Sequence, residues 1–475
     1  MSLESYTSST GIKELDELTG GGFAKGSLIL VAGNPGTGKT SFSARFLYEG
    51  ASRLNEAGLY VSFIEAYETF IKNMSSFKLD FKALERDKKF KFLGLSPMKK
   101  EALPTISDTI LEELYSLNAK RLVIDSFSVL AQAFETDIEA RMFLETLISK
   151  IIRKLGCTTL LIVEVPIGTA RIGLGLEEFV VDGIFLLRNF EFENRFFREL
   201  EVIKLRGSEV TRRKAIFSLH NGFRLFKPFK FIKPKKPKKF KPIPDSKEYF
   251  SSGSKDLDSI LGGGYPRGSF NILEVGRGVP IDAHLVFELS MVCNSLANDN
   301  GVVYLPSSDI TPEKAKGFIE TYVDPEVFKD KVMIIGVGEE VTEKAYVYYE
   351  KGISLKEDLI ESAKEIHRRE RETGKPIITV IGLDTDEKRY GSAQVLQNID
   401  FLARDIRERK SARMNVVKPS MKTTEELSDM ADVHLKLIEI DGSIFLYGIK
   451  PSTCAYNVEV NSRRGYPFIG LTPVT

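Results

Sequence analysis

Short continuous apolar runs alternate along the chain with longer stretches whose apolar side chains recur at helical spacing. The runs Leu28–Ala32, Leu59–Ile64, Lys91–Leu95, Leu122–Ile124, Thr158–Val163, Ile184–Leu187 and Glu201–Leu205 predict strands. Helical spacing predicts helices over Ser41–Leu54 and Asp137–Leu155. Unbroken apolar runs set between helices are what strands covered on both faces of a parallel sheet require. The second half repeats the rhythm, with strands expected at Asn271–Val275, Val302–Leu305, Val332–Ile335 and Ile377–Ile381 and a long helix near Leu355–Arg371. The expected fold class is α/β, with two tandem domains of mostly parallel twisted sheet covered by helices.

A repeat supports the tandem reading. Residues 10–27, TGIKELDELTGGGFAKGS, and 252–269, SGSKDLDSILGGGYPRGS, are identical at nine of eighteen positions, including the triple glycines. A spacing of about 240 residues is too long for a solenoid and implies duplication of a whole domain. Between the copies, Lys227 to Pro244 carries eight Lys and five Pro in eighteen residues, so an extended, exposed linker is expected. The expected boundaries are 1–226 for the first domain, 227–247 for the linker and 248–475 for the second domain.

Composition narrows the function classes. Lys+Arg 67 against Asp+Glu 66 excludes the overall basic balance of a nucleic-acid coat and the acidic balance of a disordered tail. Cys157, Cys293 and Cys454 are too scattered for a disulfide framework or a CxxC metal site, and the four His make no metal constellation. No apolar run approaches the roughly 20 residues of a membrane span, and the N-terminus MSLESYTSSTG lacks the pattern of a signal peptide. A soluble, cytoplasmic protein with no membrane partner is expected. The absence of Trp and the presence of only three Gln, beside abundant Lys and Glu, is a mix common in thermophiles.

The chemistry-bearing motif is Gly33-Asn34-Pro35-Gly36-Thr37-Gly38-Lys39-Thr40, which fits GxxxxGK[ST] at every defined position and lies between an expected strand and an expected helix. Its glycines let backbone N–H groups turn inward as a nest for phosphate oxygens, and the following helix, from Ser41, adds a positive N-terminus. Lys39 is the candidate for the β- and γ-phosphates of ATP, and Thr40 for Mg²⁺. Asp125, ending the apolar run Leu122–Ile124, is the candidate second metal-side carboxylate. Glu65, at the end of another run, is the candidate to orient the attacking water. Glu164 is a further candidate, near the γ-phosphate.

These residues resemble the KaiC branch of the RecA-type ATPases. The resemblance covers nearly all of the first copy, through LDELTGGG-x-x-KGS, GNPGTGKTS, IKNMSSF (Ile71–Phe77), VIDSFS (Val123–Ser128) and KLRGS (Lys204–Ser208). It implies two RecA-like domains, ATP and Mg²⁺ as cofactors, and a ring, usually of six subunits, with nucleotide at the subunit interfaces. It also implies that Lys204 and Arg206 act across that interface on the neighbour's nucleotide, and that Ser76 contacts the base end. Two positions depart from the family: Ile64 stands where a first glutamate is common, and Val210 where some relatives carry His. Both changes imply slower turnover.

The second copy reads Gly276-Arg277-Gly278-Val279-Pro280-Ile281-Asp282 after its lead-in, so the motif Lys is replaced by Ile281 or Asp282, depending on register. Its counterpart of the Asp125 strand ends Gly-Leu-Asp at Asp384, and Lys450-Pro451-Ser452 lacks the Arg of KLRG. An ATP-hydrolysing first domain with a degenerate second one is therefore expected, without autokinase activity, signalling through nucleotide-dependent ring conformation to a protein partner. The alternatives are a single-stranded-DNA-binding recombinase paralogue and a non-hydrolysing ATP-binding scaffold. Two basic clusters, the Lys/Pro stretch and Arg404–Lys422, read as a solvated linker and an exposed helix ahead of a nucleic-acid contact, because neither carries regular aromatic interleaving.

Overall fold

The computed structural model describes the chain except for residues 1–5, 96–102, 148–150, 152–153, 167, 169–179, 337–345 and 351. The described chain divides into two compact units, Met1–Lys227 with Val474–Thr475, and Pro228–Pro473.

In the first unit the elements are β1 (Leu28–Gly33), α1 (Lys39–Arg53), β2 (Gly58–Ser62), α2 (Tyr67–Ser76), β3 (Phe90–Gly94), α3 (Leu103–Leu117), β4 (Arg121–Asp125), α4 (Asp137–Leu147), β5 (Thr158–Glu164), β6 (Gly183–Phe192), β7 (Arg195–Leu205), β8 (Lys214–Ser218) and β9 (Arg224–Leu225), among shorter pieces. The sheet order is β9-β8-β7-β6-β1-β5-β4-β2-β3. Strands β6, β1, β5, β4, β2 and β3 run parallel, and β6 to β9 pair antiparallel. Helix α4 is shorter than the sequence suggests, and part of the stretch beyond it lies outside the described residues.

The alternation of a strand explains the two-sided core. In β1, Ile29 and Val31 join a cluster with Phe42, Phe46 and Phe70, while Leu28, Leu30 and Ala32 join another with Ile110 and Leu114. Each fully buried Leu, Val or Phe contributes about 1.5–3 kcal/mol, so this central strand is fixed from both faces. Arg121 is a charged side chain inside the core. It is fully buried, with Nε 2.6 Å from Glu56, Nη1 donating to the Phe46 carbonyl at 2.7 Å and Nη2 to the Ser9 carbonyl at 2.8 Å.

The second unit contains β10 (Ser269–Val275), α5 (Ile281–Ala297), β11 (Gly301–Leu305), β12 (Val332–Gly336), β13 (Val347–Tyr349), α6 (Leu355–Thr373), β14 (Ile377–Gly382), α7 (Leu383–Tyr390), α8 (Ser392–Arg409), β15 (Ala412–Val417), β16 (Val433–Ile440), β17 (Ser443–Lys450), β18 (Tyr456–Asn461) and β19 (Phe468–Pro473). Its order, β13-β12-β11-β14-β15-β10-β16-β17-β18-β19, repeats the arrangement of the first sheet around the central strand. This is the architecture of two mostly parallel α/β sheets covered by helices.

Two expectations about basic segments need correction. The Lys/Pro stretch forms neither helix nor strand and bends at Lys235 and Lys236, and it is not a free linker: Phe240 is 8% exposed in the core of the second unit and Phe229 and Phe231 pack against that core. Apolar burial outweighs lysine repulsion there because the lysines themselves stay in solvent. Arg404–Lys422 is not an exposed helix. It spans the end of α8, the fully buried strand β15 and the turn after it, with the side chains of Arg409 and Arg413 buried against carboxylates.

Candidate nucleotide site

The turn from β1 into α1 is built by two left-handed glycines, Gly36 (φ +76°) and Gly38 (φ +96°). A side chain would be strained at either position. Around Gly36 nothing lies within 4 Å of where a Cβ would stand, so the loop presents bare backbone to open space. The rest is braced: the Asn34 amide donates to the Val165 carbonyl at 2.8 Å, the Thr37 hydroxyl donates to the Asn34 carbonyl at 2.8 Å, and Arg198 donates to the Gly36 carbonyl at 2.8 Å. Pro35 is exposed at the tip.

Lys39 is buried and folds back over this loop, its ammonium donating to the carbonyls of Gly33 at 2.9 Å and Asn34 at 2.8 Å. Burial lowers its pKa, opposed by the nearby charges of Glu164 and Asp125. An ammonium parked on loop carbonyls is free to exchange them for phosphate oxygens.

At the first turn of α1, the Thr40 hydroxyl donates to the Asp125 carboxylate at 3.0 Å. The Tyr60 hydroxyl, from the neighbouring strand, donates to the same Asp125 oxygen at 2.5 Å. Burial pushes the Asp125 pKa up, and the bonds from Tyr60 and Thr40 and the charge of Lys39 pull it back. Burial beside that carboxylate carries the Tyr60 pKa well upward, so Tyr60 remains a donor. A hydroxyl and a carboxylate are hard oxygen donors suited to Mg²⁺, and they stand side by side at the mouth of the nest; the residues present fit the group.

Beside them opens a cleft of about 750 Å³ lined by Thr40, Ser41, Glu65, Asn73, Ser76, Asp125 and Glu164, among others. Glu65 follows β2 in a turn fixed by Ser62, whose hydroxyl accepts from the Glu65 N–H at 2.9 Å and donates to the Glu65 carbonyl at 3.0 Å. The Asn73 amide, two turns along α2, donates to Glu65 Oε1 at 2.7 Å. Burial raises the Glu65 pKa, and the Asn73 bond opposes it. Ser76 is exposed, its hydroxyl donating to the Asn73 carbonyl at 2.6 Å. Glu164 is exposed at the end of β5. Ile64 is 61% exposed and lines the cleft.

Lys204 and Arg206 do not line this cleft. The Lys204 ammonium donates to the Val181 carbonyl at 2.8 Å, and Arg206, with its side chain 59% exposed, lies 3.9 Å from Asp182. Asn73, Tyr60 and Arg198 were not singled out from the sequence. Asn73 had a signal in its spacing of eight residues from Glu65, which spans the turn and two turns of helix; the other two are brought in by strand pairing alone.

The second unit resolves the register of its corresponding loop. Helix α5 begins at Ile281 as α1 begins at Lys39, so Ile281 replaces the lysine and Asp282 the threonine. Pro280 precedes the helix at φ −68°, where Gly38 has φ +96°. Strand pairing sets Ile381 beside Leu305, as Asp125 sits beside Ser62, so the carboxylate of β4 has become an isoleucine. Asp384 instead turns inward to accept from the Ser308 N–H at 3.1 Å and hydroxyl at 2.7 Å. Behind the loop, fully buried His284 joins Glu288 at 2.6 Å and Lys418 at 2.8 Å, and Lys418 joins Asp309 at 3.0 Å.

Residues 8–224 match the ATPase family KaiC, and residues 239–334 match the GvpD basic region 2 family. The circadian clock oscillator protein KaiC of Thermostichus vulcanus is 31% identical over 275 residues, covering 56% of this chain and 51% of the relative. That of Synechococcus elongatus is 31% identical over 280 residues, with 56% and 51% covered. The chain thus spans about half the length of these curated relatives. A solved KaiC-like protein from Pyrococcus horikoshii is 32% identical, covering 46% of this chain and 99% of that one, with a TM-score of 0.42. No helix among the described residues is long and apolar enough to cross a membrane. With its glycine loop, Lys39, Thr40 and Asp125 in one site and the KaiC match running from residue 8 to 224, the first unit holds a KaiC-like ATPase-family domain.

Proposed function

We propose that the first unit binds Mg²⁺·ATP in the loop Gly33–Ser41 and hydrolyses it slowly, and that the second unit does not. The observation that carries this reading is the Thr40–Asp125 pair at 3.0 Å, set at the mouth of the glycine nest and facing the cleft with Glu65. When bound, Mg²⁺ supplies charge neutralisation on the β- and γ-phosphate oxygens. Backbone N–H groups of the loop and Lys39 hold the phosphates, Glu65 orients and accepts a proton from the attacking water, and Glu164 faces the γ-phosphate region. Ser76 lies toward the base end. Lys204 and Arg206, turned away from the chain's own cleft, serve the nucleotide of a neighbouring subunit in a homo-oligomeric ring, hexameric as the family resemblance implies. The ring works in the cytoplasm and signals its nucleotide state to a protein partner.

The loss of the nest donor at Pro280 and of the lysine at Ile281 supports a second unit without ATP chemistry, and hence no autokinase activity. Exposed Ile64, where a second carboxylate would sit, favours low turnover and leaves a non-hydrolysing scaffold as the second reading. Steady-state hydrolysis of Mg²⁺·ATP by the chain and by Lys39→Ala, each with and without single-stranded DNA, tests this. Turnover abolished by the substitution and indifferent to DNA is the expected result. Turnover raised several-fold by DNA would replace it with a recombinase-like activity; nucleotide binding without turnover would leave the scaffold.

A further inference from the structure

Residues 228–241 of the second unit form neither helix nor strand, yet they are held along their length. The Phe229 N–H donates to the Gly442 carbonyl at 2.7 Å, the Lys238 N–H to Gly465 at 2.8 Å and the Phe240 N–H to Tyr322 at 2.8 Å. The Ser462 hydroxyl donates to the Ile232 carbonyl at 2.7 Å. Phe240 lies 4.7 Å from the Tyr466 ring, and Phe231 stacks on Phe318 at 6.3 Å.

This pinning sorts the side chains. The phenylalanines turn into the unit, and Lys230, Lys233, Lys235, Lys236, Lys238 and Lys241 stand exposed. None of these six pairs with a carboxylate among the described residues, whereas Lys239 is neutralised by Asp324 at 3.3 Å. Arg463 and Arg464, beside Gly465 where Lys238 is anchored, are also exposed and extend the positive surface. In a chain of net charge +1, this is a concentrated and ordered cationic ridge.

Its geometry selects among polyanions. Extended backbone advances about 3.1 Å per residue, so on each side of the bend at Lys235 and Lys236 lysines two or three apart recur every ~6–9 Å. One strand of a nucleic-acid duplex carries a phosphate every ~3.4 Å of axis, so such lysines meet roughly every second or third phosphate. A bilayer anchor needs apolar side chains to embed, and a folded acidic partner needs a buried apolar centre. Here the aromatics are spent inward and Ile232, 62% exposed, is the one large apolar side chain outward between residues 228 and 241. A phosphodiester chain asks for charge alone.

We propose that this ridge is a docking surface for nucleic acid, gripping the phosphate backbone without reading bases. The proposal is independent of ATP binding in the first unit, and its test uses no nucleotide. Binding of the full chain to fluorescent single-stranded oligo-dT, oligo-dA and mixed-sequence duplex is followed by anisotropy from about 50 to 200 mM salt. The expected result is similar affinity for both single strands and a steep inverse salt dependence. A chain carrying Lys233→Gln, Lys235→Gln, Lys236→Gln and Lys238→Gln, all exposed and so compatible with the fold, loses four contacts. Its single-strand log–log salt slope should flatten by about 3, at about 0.7 per contact. A control with Lys356→Gln and Lys364→Gln, on α6, keeps the wild-type slope. No binding at low salt, a slope unchanged in the fourfold variant, or binding to phosphatidylserine vesicles in place of nucleic acid would each overturn the proposal.

Discussion

Asn73→Ala isolates the contact that orients Glu65. The amide donates to Glu65 Oε1 at 2.7 Å, and its removal leaves the Ser62 turn that fixes the Glu65 backbone intact. A hydrogen bond to a charged group is worth about 1.5–3 kcal/mol, but Asn73 is exposed and Glu65 only half-buried, so about 0.5–1 kcal/mol is the appropriate scale. Losing that donor raises the Glu65 pKa further, because the Asn73 bond is what opposes the upward push of burial. The sign follows from the donor favouring the ionised carboxylate: without it Glu65 protonates more readily, and the acid limb of the kcat profile moves to higher pH. On the alkaline plateau the loss of orientation remains, lowering kcat several-fold, while KM for ATP changes little because Asn73 does not touch the glycine nest. The assay is a pH series of steady-state kinetics on the chain and on Asn73→Ala and Asn73→Asp, the last adding a negative charge and moving the acid limb further. If kcat falls equally at all pH values with the acid limb in place, Asn73 does not act through Glu65.

The remaining predictions concern the loop and the cores. Gly33→Ala would set a Cβ 2.4 Å from the Leu187 carbonyl oxygen and 2.7 Å from the Thr37 hydroxyl, so the loop must shift; nucleotide affinity should fall at least tenfold by titration with a fluorescent ATP analogue. Arg121→Leu leaves the carbonyls of Phe46 and Ser9 without their buried donor, and a loss of about 1–3 kcal/mol for each unsatisfied group should appear in urea unfolding of the first unit. In the second unit, burial raises the carboxyl pKa values of Asp386 to about 8 and Glu350 to about 7. For Asp386 the folded state holds its proton from the ordinary aspartate value of about 3.8 up to about 8, while the unfolded chain releases it. Stability is therefore lost as pH climbs through that window. Asp386→Asn removes this titration, so its melting temperature relative to wild type should rise steadily from pH 5 to about pH 8; a constant difference would refute the assignment.

What the sequence made legible followed from physical continuity. Central strands such as β1 and β14 are unbroken apolar runs because both faces are covered, and their ends were readable to within a residue or two. The nest was legible because its residue types are set by backbone geometry. The partners that tune the site were not. Tyr60 reaches Asp125 only because β2 and β4 pair in register, and Arg198 reaches Gly36 from a strand 162 residues away. The Lys/Pro stretch misled for a different reason: its composition describes the lysines, while its path is decided by Phe229, Phe231 and Phe240. In the second copy the motif spacing left two registers open, and the start of α5 settled on Ile281.

The ion cluster behind that loop fills the place where a phosphate site would need open donors. His284, Glu288, Lys418 and Asp309 supply one another with the counter-charges that a bound phosphate and metal would otherwise provide, and they are locked into the fold by the burial of His284 and Glu288. Restoring the lost letters, Ile281→Lys with Asp282→Thr, would place a second cation near Lys418 and still meet the missing N–H of Pro280. Fluorescent ATP analogue should therefore remain unbound by the second unit of that variant. The cluster stands in the core of its unit, so two substitutions in the loop alone leave the buried ion pairs beneath it in place.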